Sequence, residues 1–414
     1  MIGFDTLYSW VKDLPVVDWH NHLDMKMLAE DKPLGSLYEV WVKADPYKHR
    51  AMRICGEPER VITGDASEEE KWAAWTRTLP KLVGNPLFTW AKMEMAFLRG
   101  TGNGEWWREV ENISLSGWTP SKMLKKFGVE YLSPCVGAGE LRDSPAENAE
   151  VAEGSASETL RSLRTLREIR ISPSLRMNAG DEISVETLEK FNAAGCRVVD
   201  ISVDDVAQLT TNHPVLATVA AYAATHGWTM LLHMGAMRET SERLRAAAGP
   251  AGGFAGMRLP VNPAAVAVFL NALEKRNALP RTILMSLNPE AHASLAVLAG
   301  SFNGEGMPGK VQLGPAWWWC DHEEGIRDVF EKNAAYGVLS TFVGMTTDSR
   351  SLLSFVRHDY FRRVFCKWVA EKVTSGAFPD DESLLRPMLE NICNKNARRI
   401  FSRLVNPVNP VNLV

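Results

Sequence analysis

Short apolar runs alternate along the chain with amphipathic segments rich in Ala, Leu and Glu. This rhythm is typical of β-α units around a parallel sheet. Eight runs are predicted as strands: 16–22, 130–135, 169–177, 197–202, 229–234, 282–287, 310–316 and 339–345. Helices are predicted between the later ones at 184–194, 215–226, 264–276, 291–299 and 323–336. Eight such units predict an α/β protein with a (β/α)8, TIM-like barrel that spans residues 1–414 as a single domain.

The first predicted connection, about residues 24–128, is too long for one β-α unit. Ser67 and Glu70 have the spacing of a capping box, so we expect a helical insertion after strand 1, where it would form a wall or lid of an active site. An open doubly wound sheet is the alternative, but no Gly-x-Gly-x-x-Gly follows an early strand, which argues against dinucleotide binding. The tail repeats Val-Asn-Pro at 405–412 and is predicted to be irregular.

Strand 1 ends in His20 and His22, and in an extended strand such i, i+2 side chains point to one side. Two imidazoles are half of a typical divalent-metal site. Two solvated loop histidines are the alternative. Other strands also end in reactive groups: Arg176, His233, the run 317–319, and Asp348 with Arg350. A barrel brings strand ends together, so we expect one shared site.

Asp348 and Arg350 repeat the i, i+2 spacing, so Asp348 is predicted as a base or ligand and Arg350 as a clamp for a substrate anion. The alternative is a helix cap with a surface arginine. His233 is either a further ligand or a core histidine. Arg176 binds either an anion at the barrel mouth or a neighbouring loop.

Three consecutive tryptophans, Trp317, Trp318 and Trp319, are expected to alternate across strand 7, which places at least one against the substrate or in the core. Tyr47 lies in the insertion and could carry a proton to the site. No Gly-x-Ser-x-Gly or P-loop is present, which argues against serine hydrolases and nucleotide enzymes. Strand 4 ends without lysine, so one metal is favoured over a carbamylated-lysine binuclear centre.

A formal net charge of −4 gives no reason to expect nucleic-acid binding. Basic residues at 357, 362, 363 and 367 are predicted to form a solvated helix face. Six widely spaced cysteines favour a reduced cytoplasm. No signal peptide or membrane span is predicted, and self-association to a homo-oligomer is expected.

Several long motifs resemble the uronate isomerases, also called glucuronate isomerases, of the amidohydrolase superfamily. They occur in order over most of the chain, at 18–23, 47–53, 62–67, 83–87, 232–236, 286–289, 309–312, 317–318 and 342–351. The resemblance implies a distorted (β/α)8 barrel that interconverts D-glucuronate with D-fructuronate, or D-galacturonate with D-tagaturonate.

The resemblance also implies roles for individual residues. His20, His22 and Asp348 would hold one divalent metal, and His233 would be a further ligand or neighbour. Such ligands accept zinc, manganese, iron or cobalt, and zinc is the expected ion. The substrate, a small sugar acid, would be bound by the following residues: Arg350, Arg176, Tyr47, Asp200 and one of Trp317 or Trp318.

Aldose–ketose isomerisation needs a base, an electrophile and an acid. We expect Asp348 to take the C2 proton, the metal to polarise the neighbouring oxygens, Tyr47 or a water molecule to return the proton, and Arg350 to hold the carboxylate. A direct hydride shift is the mechanistic alternative. Isomerisation of another sugar acid, a metal-dependent hydrolase or decarboxylase, and an inactive uronate-binding paralogue are the functional alternatives.

Three positions depart from the family pattern. Pro46 stands where the family usually has a histidine before the lid tyrosine. After strand 5, residues 238–241 read Arg-Glu-Thr-Ser, where an Arg followed by an Asn run is expected. A glycine-rich segment, 252–257, replaces the acidic loop that normally follows. All lie on the substrate side, so we expect a divergent member whose preferred sugar acid differs.

Overall fold

The computed structural model describes residues 1–100, 104–142, 169–209, 214–258, 261–304 and 306–402. Its main sheet is parallel, with neighbours in the order β1-β2-β4-β5-β6-β9-β10 and with β3 also paired to β2. The strands are β1 Val16–Asn21, β2 Val129–Gly137, β3 Arg170–Ile171, β4 Ser174–Asn178, β5 Val198–Val203, β6 Thr229–Met234, β7 Ala236–Met237, β8 Gly256–Met257, β9 Arg281–Ser286 and β10 Val311–Leu313. β7 and β8 form a separate antiparallel pair. The predicted tail at 405–412 lies outside the described residues.

Helices follow the strands as the amphipathic pattern predicts. The five predicted crossover helices are each confirmed to within two residues at either end. The α-helices of the described ranges are Phe4–Val11, Met25–Glu30, Leu37–Trp41, Pro46–Ile54, Glu68–Thr78, Pro86–Arg99, Pro120–Lys126, Ala138–Arg142, Val185–Ala193, Pro214–His226, Glu242–Ala248, Pro263–Glu274, His292–Gly300, Glu323–Tyr336, Val356–Thr374 and Glu382–Glu390. None of them combines the length and the apolar character that crossing a bilayer would need.

The core lies on both faces of the sheet. Every residue of β1 and of β6 is buried, as expected for parallel strands covered on both sides. One large apolar cluster packs the segment between β1 and β2 and the C-terminal helices against β1, and a second packs the later crossover helices against β4, β5 and β6.

The predicted helical insertion is present between β1 and β2, where six of these helices lie. The predicted capping box is also present: the Ser67 hydroxyl accepts from the Glu70 amide at 3.3 Å, and Glu70 Oε2 accepts from the Ser67 amide at 3.0 Å. Two backbone amides at this helix start, those of Ser67 and Glu70, are thereby satisfied.

The predicted eighth strand at 339–345 is wrong. Residues Leu339–Thr341 form a 3₁₀ turn, and irregular chain follows. Gly344 has φ 78° and lies against the backbone of Ile392, where a side chain would not fit. This left-handed residue interrupts the extended conformation that a strand needs.

The irregular segment 342–350 nevertheless lies between β10 and β1. The Val343 amide donates to Gln312 Oε1 at 2.8 Å, and the His20 amide donates to Thr346 Oγ1 at 2.9 Å. Side-chain hydrogen bonds therefore replace part of the backbone ladder at the eighth position of the barrel.

The predicted strand at 169–177 is divided into β3 and β4. The break falls at Ser172 and Pro173, and proline has no amide to donate to a neighbouring strand. β4 then resumes pairing with β2 and carries Arg176 to the carboxyl edge of the sheet.

Candidate active site

A cavity of about 810 Å³ opens at the carboxyl ends of the barrel strands. This is the edge at which barrel enzymes carry their active sites. The structure brings together in it all ten residues that the sequence nominates for the site: His20, His22, Tyr47, Arg176, Asp200, His233, Trp317, Trp318, Asp348 and Arg350.

His20 in β1 and His22, just after it, face one carboxylate. Asp348 Oδ1 lies 3.2 Å from His20 Nε2 and 3.0 Å from His22 Nε2. Backbone contacts fix this arrangement, since the Asp348 amide donates to the His20 carbonyl at 3.1 Å and the His22 amide to the Ser349 carbonyl at 2.8 Å. Asp348 itself has φ 49°, a conformation that costs about 1–3 kcal/mol for such a residue and is common at functional sites.

His233, at the end of β6, completes the group. Its Nδ1 lies 2.6 Å from Asp200 Oδ1, its ring centre is 4.8 Å from that of His20, and its Nε2 is buried with no partner among the described residues. A buried, unpaired ring nitrogen is costly unless it has a ligand. The ligand atoms of His20, Asp200 and His233 lie within 4.8 Å of one another, and so do those of His20, His22 and Cys135. Divalent metals accept donors of these kinds.

Neighbouring histidines keep the carboxylates of Asp348 and Asp200 ionised. Burial alone would raise the pKa of Asp348, but hydrogen bonds and positive charge from His20 and His22 hold it well below its usual range. The pKa of Asp200 is likewise lowered, because His233 and His20 outweigh the effect of burial. Both carboxylates are therefore ionised.

Cys135, at the end of β2, is a site residue that sequence reasoning missed. Its Sγ lies 3.1 Å from His20 Nδ1 and 3.7 Å from Asp200 Oδ2, and burial raises the pKa of the thiol to about 11. One signal could have revealed it: Cys135 ends the predicted strand 130–135, a position equivalent to that of His20 or His233 in its own strand.

Two arginines, Arg176 and Arg350, also line the cavity. Arg176 has a single long contact, 3.6 Å, to Glu140, and no carboxylate of the described chain pairs with Arg350. Loss of surrounding water lowers the pKa of Arg350, the charge of Asp348 partly opposes this, and the charge of Arg176 adds to the lowering. Two neighbouring cations with so little compensation favour the binding of an anion between them.

The tryptophans lie in the cavity, but not on a strand. β10 ends at Leu313, and residues Trp318–Cys320 form a 3₁₀ turn, so the predicted alternation across strand 7 is wrong. Trp317 contacts the edge of the His233 ring at 4.4 Å between centroids, while Trp318, with φ 50°, lies 5.7 Å from the Arg238 guanidinium. The turn thus presents both side chains to the cavity.

Tyr47 lies in the first turn of helix Pro46–Ile54. Asp45 caps this helix by accepting from the Tyr47 amide at 2.9 Å, and Pro46 occupies the first helical position, where its missing amide costs nothing. Burial holds the pKa of Tyr47 well above its ordinary value. The phenol is therefore protonated and can donate.

The prediction of a solvated basic helix face is wrong for Arg357 and Arg362, which are buried. Arg362 donates to carbonyls of residues 12, 14 and 15. Arg357 donates to Asp321 Oδ2 and to the Thr347 carbonyl, both at 2.6 Å. Arg357 thus ties the turn after Trp318 to the turn that carries Asp348, and neither partner could be read from the helix alone.

This fold and site define a parallel α/β barrel enzyme with a histidine–carboxylate centre at its strand ends. A family model described as glucuronate isomerase matches residues 4–136 and 182–401. The uronate isomerase of Geobacillus thermodenitrificans is 32% identical over 457 aligned positions, which cover 95% of each chain.

Solved structures give the same fold. The uronate isomerase of Thermotoga maritima superposes with a TM-score of 0.82 at 24% identity, covering 96% of this chain and 97% of that one. The glucuronate isomerase of Caulobacter crescentus superposes with a TM-score of 0.78 at 19% identity, covering 96% and 94%. The chain belongs to the glucuronate isomerase family, which confirms the resemblance and the TIM-like barrel. Its activity is that of a uronate isomerase, an aldose–ketose isomerase.

Proposed function

We propose that the ten cavity residues carry out this isomerisation by proton transfer between C2 and C1 of an aldohexuronate, with one divalent metal ion. The supporting observation is that an ionised Asp348 shares a cavity with Arg350, whose guanidinium has no carboxylate partner in the described chain. A base beside an anion site suits a substrate that carries both an acidic C–H group and a carboxylate. The two substrate pairs are D-glucuronate with D-fructuronate and D-galacturonate with D-tagaturonate.

Asp348 is the proposed base. Both imidazoles contact its Oδ1, so we assign the C2 proton to Oδ2. The low pKa keeps the carboxylate ready to accept a proton but also makes it a weak base. The C2 proton must therefore be made more acidic during the reaction.

A divalent cation held by His20, His22 and Asp348, with His233 as its neighbour or further ligand, would supply that acidity by polarising the adjacent sugar oxygens. Asp200 holds His233 through Nδ1, so we assign it a supporting role next to the substrate site. Zinc is the proposed metal, because imidazole and carboxylate are common zinc ligands.

Tyr47 is the proposed acid, since its phenol stays protonated and lines the same cavity. Arg350 and Arg176 would hold the uronate carboxylate. Trp317 and Trp318 would pack against the C–H face of the sugar, which fixes C1 and C2 between base and acid.

Isomerisation in D2O tests the proton-transfer route. Solvent deuterium at C1 of the ketose, measured by NMR, is the expected result, whereas its complete absence at every extent of conversion would favour a hydride shift. A panel of aldohexuronates and related sugar acids, assayed for keto product, tests the substrate. Equal failure with both named uronates would contradict the proposed pairs.

Self-association to a homo-oligomer and a cytoplasmic location stay predictions from the sequence. Light scattering during size-exclusion chromatography tests the first, and metal analysis of the purified protein tests the choice of zinc.

A further inference from the structure

A second layer of polar groups lies behind the histidines. Cys135 Sγ contacts His20 on Nδ1, not on Nε2, which faces Asp348. The same sulfur lies 3.7 Å from Asp200 Oδ2, and the other Asp200 oxygen lies 2.6 Å from His233 Nδ1. Cys135 and Asp200 therefore connect the two imidazoles through their Nδ1 atoms.

The chemistry of these groups fixes where the protons lie. Cys135 Sγ donates to Asp200 Oδ2 at 3.7 Å, and His233 Nδ1 lies 2.6 Å from Asp200 Oδ1, where a carboxylate oxygen accepts. The Cys135 S–H donates to one oxygen and the His233 Nδ1–H donates to the other. With its proton directed at Asp200, the sulfur offers a lone pair to His20, whose Nδ1–H then donates to it.

We propose that Cys135 is a positioning residue: through a hydrogen-bonded chain from His20 Nδ1 to Cys135 to Asp200 to His233 Nδ1, it holds both histidines in the tautomer that presents Nε2 to a cation. The inference rests on the proposed metal site. Outer groups that hold ligand histidines in this way are usually carboxylates or backbone carbonyls. Here a thiol connects His20 to the carboxylate that also holds His233.

Cys135 Sγ and one ring nitrogen each of His20 and His22 lie within 4.8 Å of one another, so the sulfur is near enough to be considered as a ligand. Its contact with Nδ1 of His20 argues against that role in a site that uses Nε2. The lone pairs of Nδ1 and Nε2 in one imidazole ring point away from each other, and Cys135 lies on the Nδ1 side of His20. A cation bound to His20 Nε2 and Asp348 Oδ1 would therefore have the His20 ring between itself and the sulfur. We expect Cys135 to tune the site without contacting the metal.

Metal binding by Cys135→Ala and Cys135→Ser tests the proposal. Alanine leaves His20 Nδ1–H without an acceptor, and loss of such outer partners lowers metal affinity by about 10–100-fold. Serine keeps a donor and an acceptor. Zinc affinity, measured by competition with a chromophoric chelator, should fall at least about tenfold in the alanine variant and recover most of that loss in the serine variant.

Cys366→Ala is the matched control, because Cys366 is a buried thiol that does not line the cavity. Its zinc affinity should equal that of the wild type. Wild-type affinity in Cys135→Ala would overturn the proposal, and so would a thiolate-to-metal charge-transfer band in the spectrum of the cobalt-substituted wild type, which would make Cys135 a ligand.

Histidine tautomers in the zinc-loaded wild type give a measurement that needs no variant. Nitrogen-15 NMR should assign the proton of His20 and of His233 to Nδ1. A proton on Nε2 of His20 would overturn the inference even if Cys135→Ala did not fold. Failure of the wild type to bind any divalent metal would instead contradict the proposed function, so the two failures are distinguishable.

Discussion

Two sides of the cavity are built differently. The strand-end cluster, defined as His20, His22, His233 and Asp348, is fixed by the buried strands β1 and β6 and by backbone hydrogen bonds from β1 to the segment 342–350. The wall, defined as helix Pro46–Ile54 and loop 249–257, is joined by side-chain contacts to carbonyls, such as those of Arg53 with Gly252 and of Arg50 with Ala255.

Two of the three departures from the family pattern lie in the wall, and the third, 238–241, follows β7. The strand-end cluster carries the residues that the family motif leads one to expect, whereas Pro46 and the glycine-rich loop both lie in the wall. They also touch each other, since Gly253 lies against the Pro46 carbonyl. We therefore expect the strand-end cluster to carry out the reaction and the contact between these two altered segments to influence substrate preference.

Replacing the proposed base should have the largest effect. Asp348→Asn removes the proton acceptor and a proposed metal ligand, so kcat should fall by about 10³-fold or more, equivalent to about 4 kcal/mol of transition-state stabilisation. Ketose formation from the preferred uronate measures it. Asp359→Asn, on a helix outside the cavity, should keep wild-type activity, and full activity of Asp348→Asn would rule out Asp348 as the base.

Removing the buried Arg357–Asp321 ion pair, which supports the strand-end cluster, should have the next largest effect. Arg357→Met leaves Asp321 as a buried, uncompensated charge, which should lower the free energy of unfolding by about 3 kcal/mol. Urea titration followed by circular dichroism measures this. The double variant Arg357→Met/Asp321→Asn should recover part of the loss, and a single variant as stable as the wild type would contradict a supporting role for the pair.

Replacing Arg350, the proposed carboxylate clamp, should have a smaller effect, seen in the kinetics. Arg350→Met removes charge-assisted hydrogen bonds to the carboxylate, so kcat/KM for the uronate should fall by about 30-fold, or about 2 kcal/mol. Arg363 lies outside the cavity, so steady-state kinetics of the Arg363→Met variant provide the control. If KM and kcat of Arg350→Met matched those of the wild type, the carboxylate would have to bind elsewhere.

The wall should be the most tolerant region. Gly253→Ala adds a methyl group against the Pro46 carbonyl, at φ 78°. Gly376→Ala has nearly the same φ, 77°, but open space around it, so it isolates the backbone strain. Gly253→Ala should be about 1 kcal/mol less stable than this control and should raise KM. Equal stability of the two variants would show that the two segments of the wall do not constrain each other.

Much of this fold could be predicted from the local pattern of apolar and polar residues. Apolar runs and amphipathic periods predict seven strand positions, the crossover helices and the insertion. They do so because a strand buried on both faces of a parallel sheet is a nearly continuous apolar run. The eighth position was not predictable in this way. A run of apolar residues at 339–345 has the composition of a strand, but the left-handed Gly344 and the nearby backbone of Ile392 exclude one.

The sequence by itself indicated ten of the side chains that line the cavity, since strand ends in a barrel converge. The tertiary structure alone decided their partners. Cys135 meets His20 and Asp200 across three strands, and Arg357 meets Asp321 and Thr347 across two turns. Such contacts depend on strand register and on where loops fold back, and neither is encoded within any single stretch of the chain.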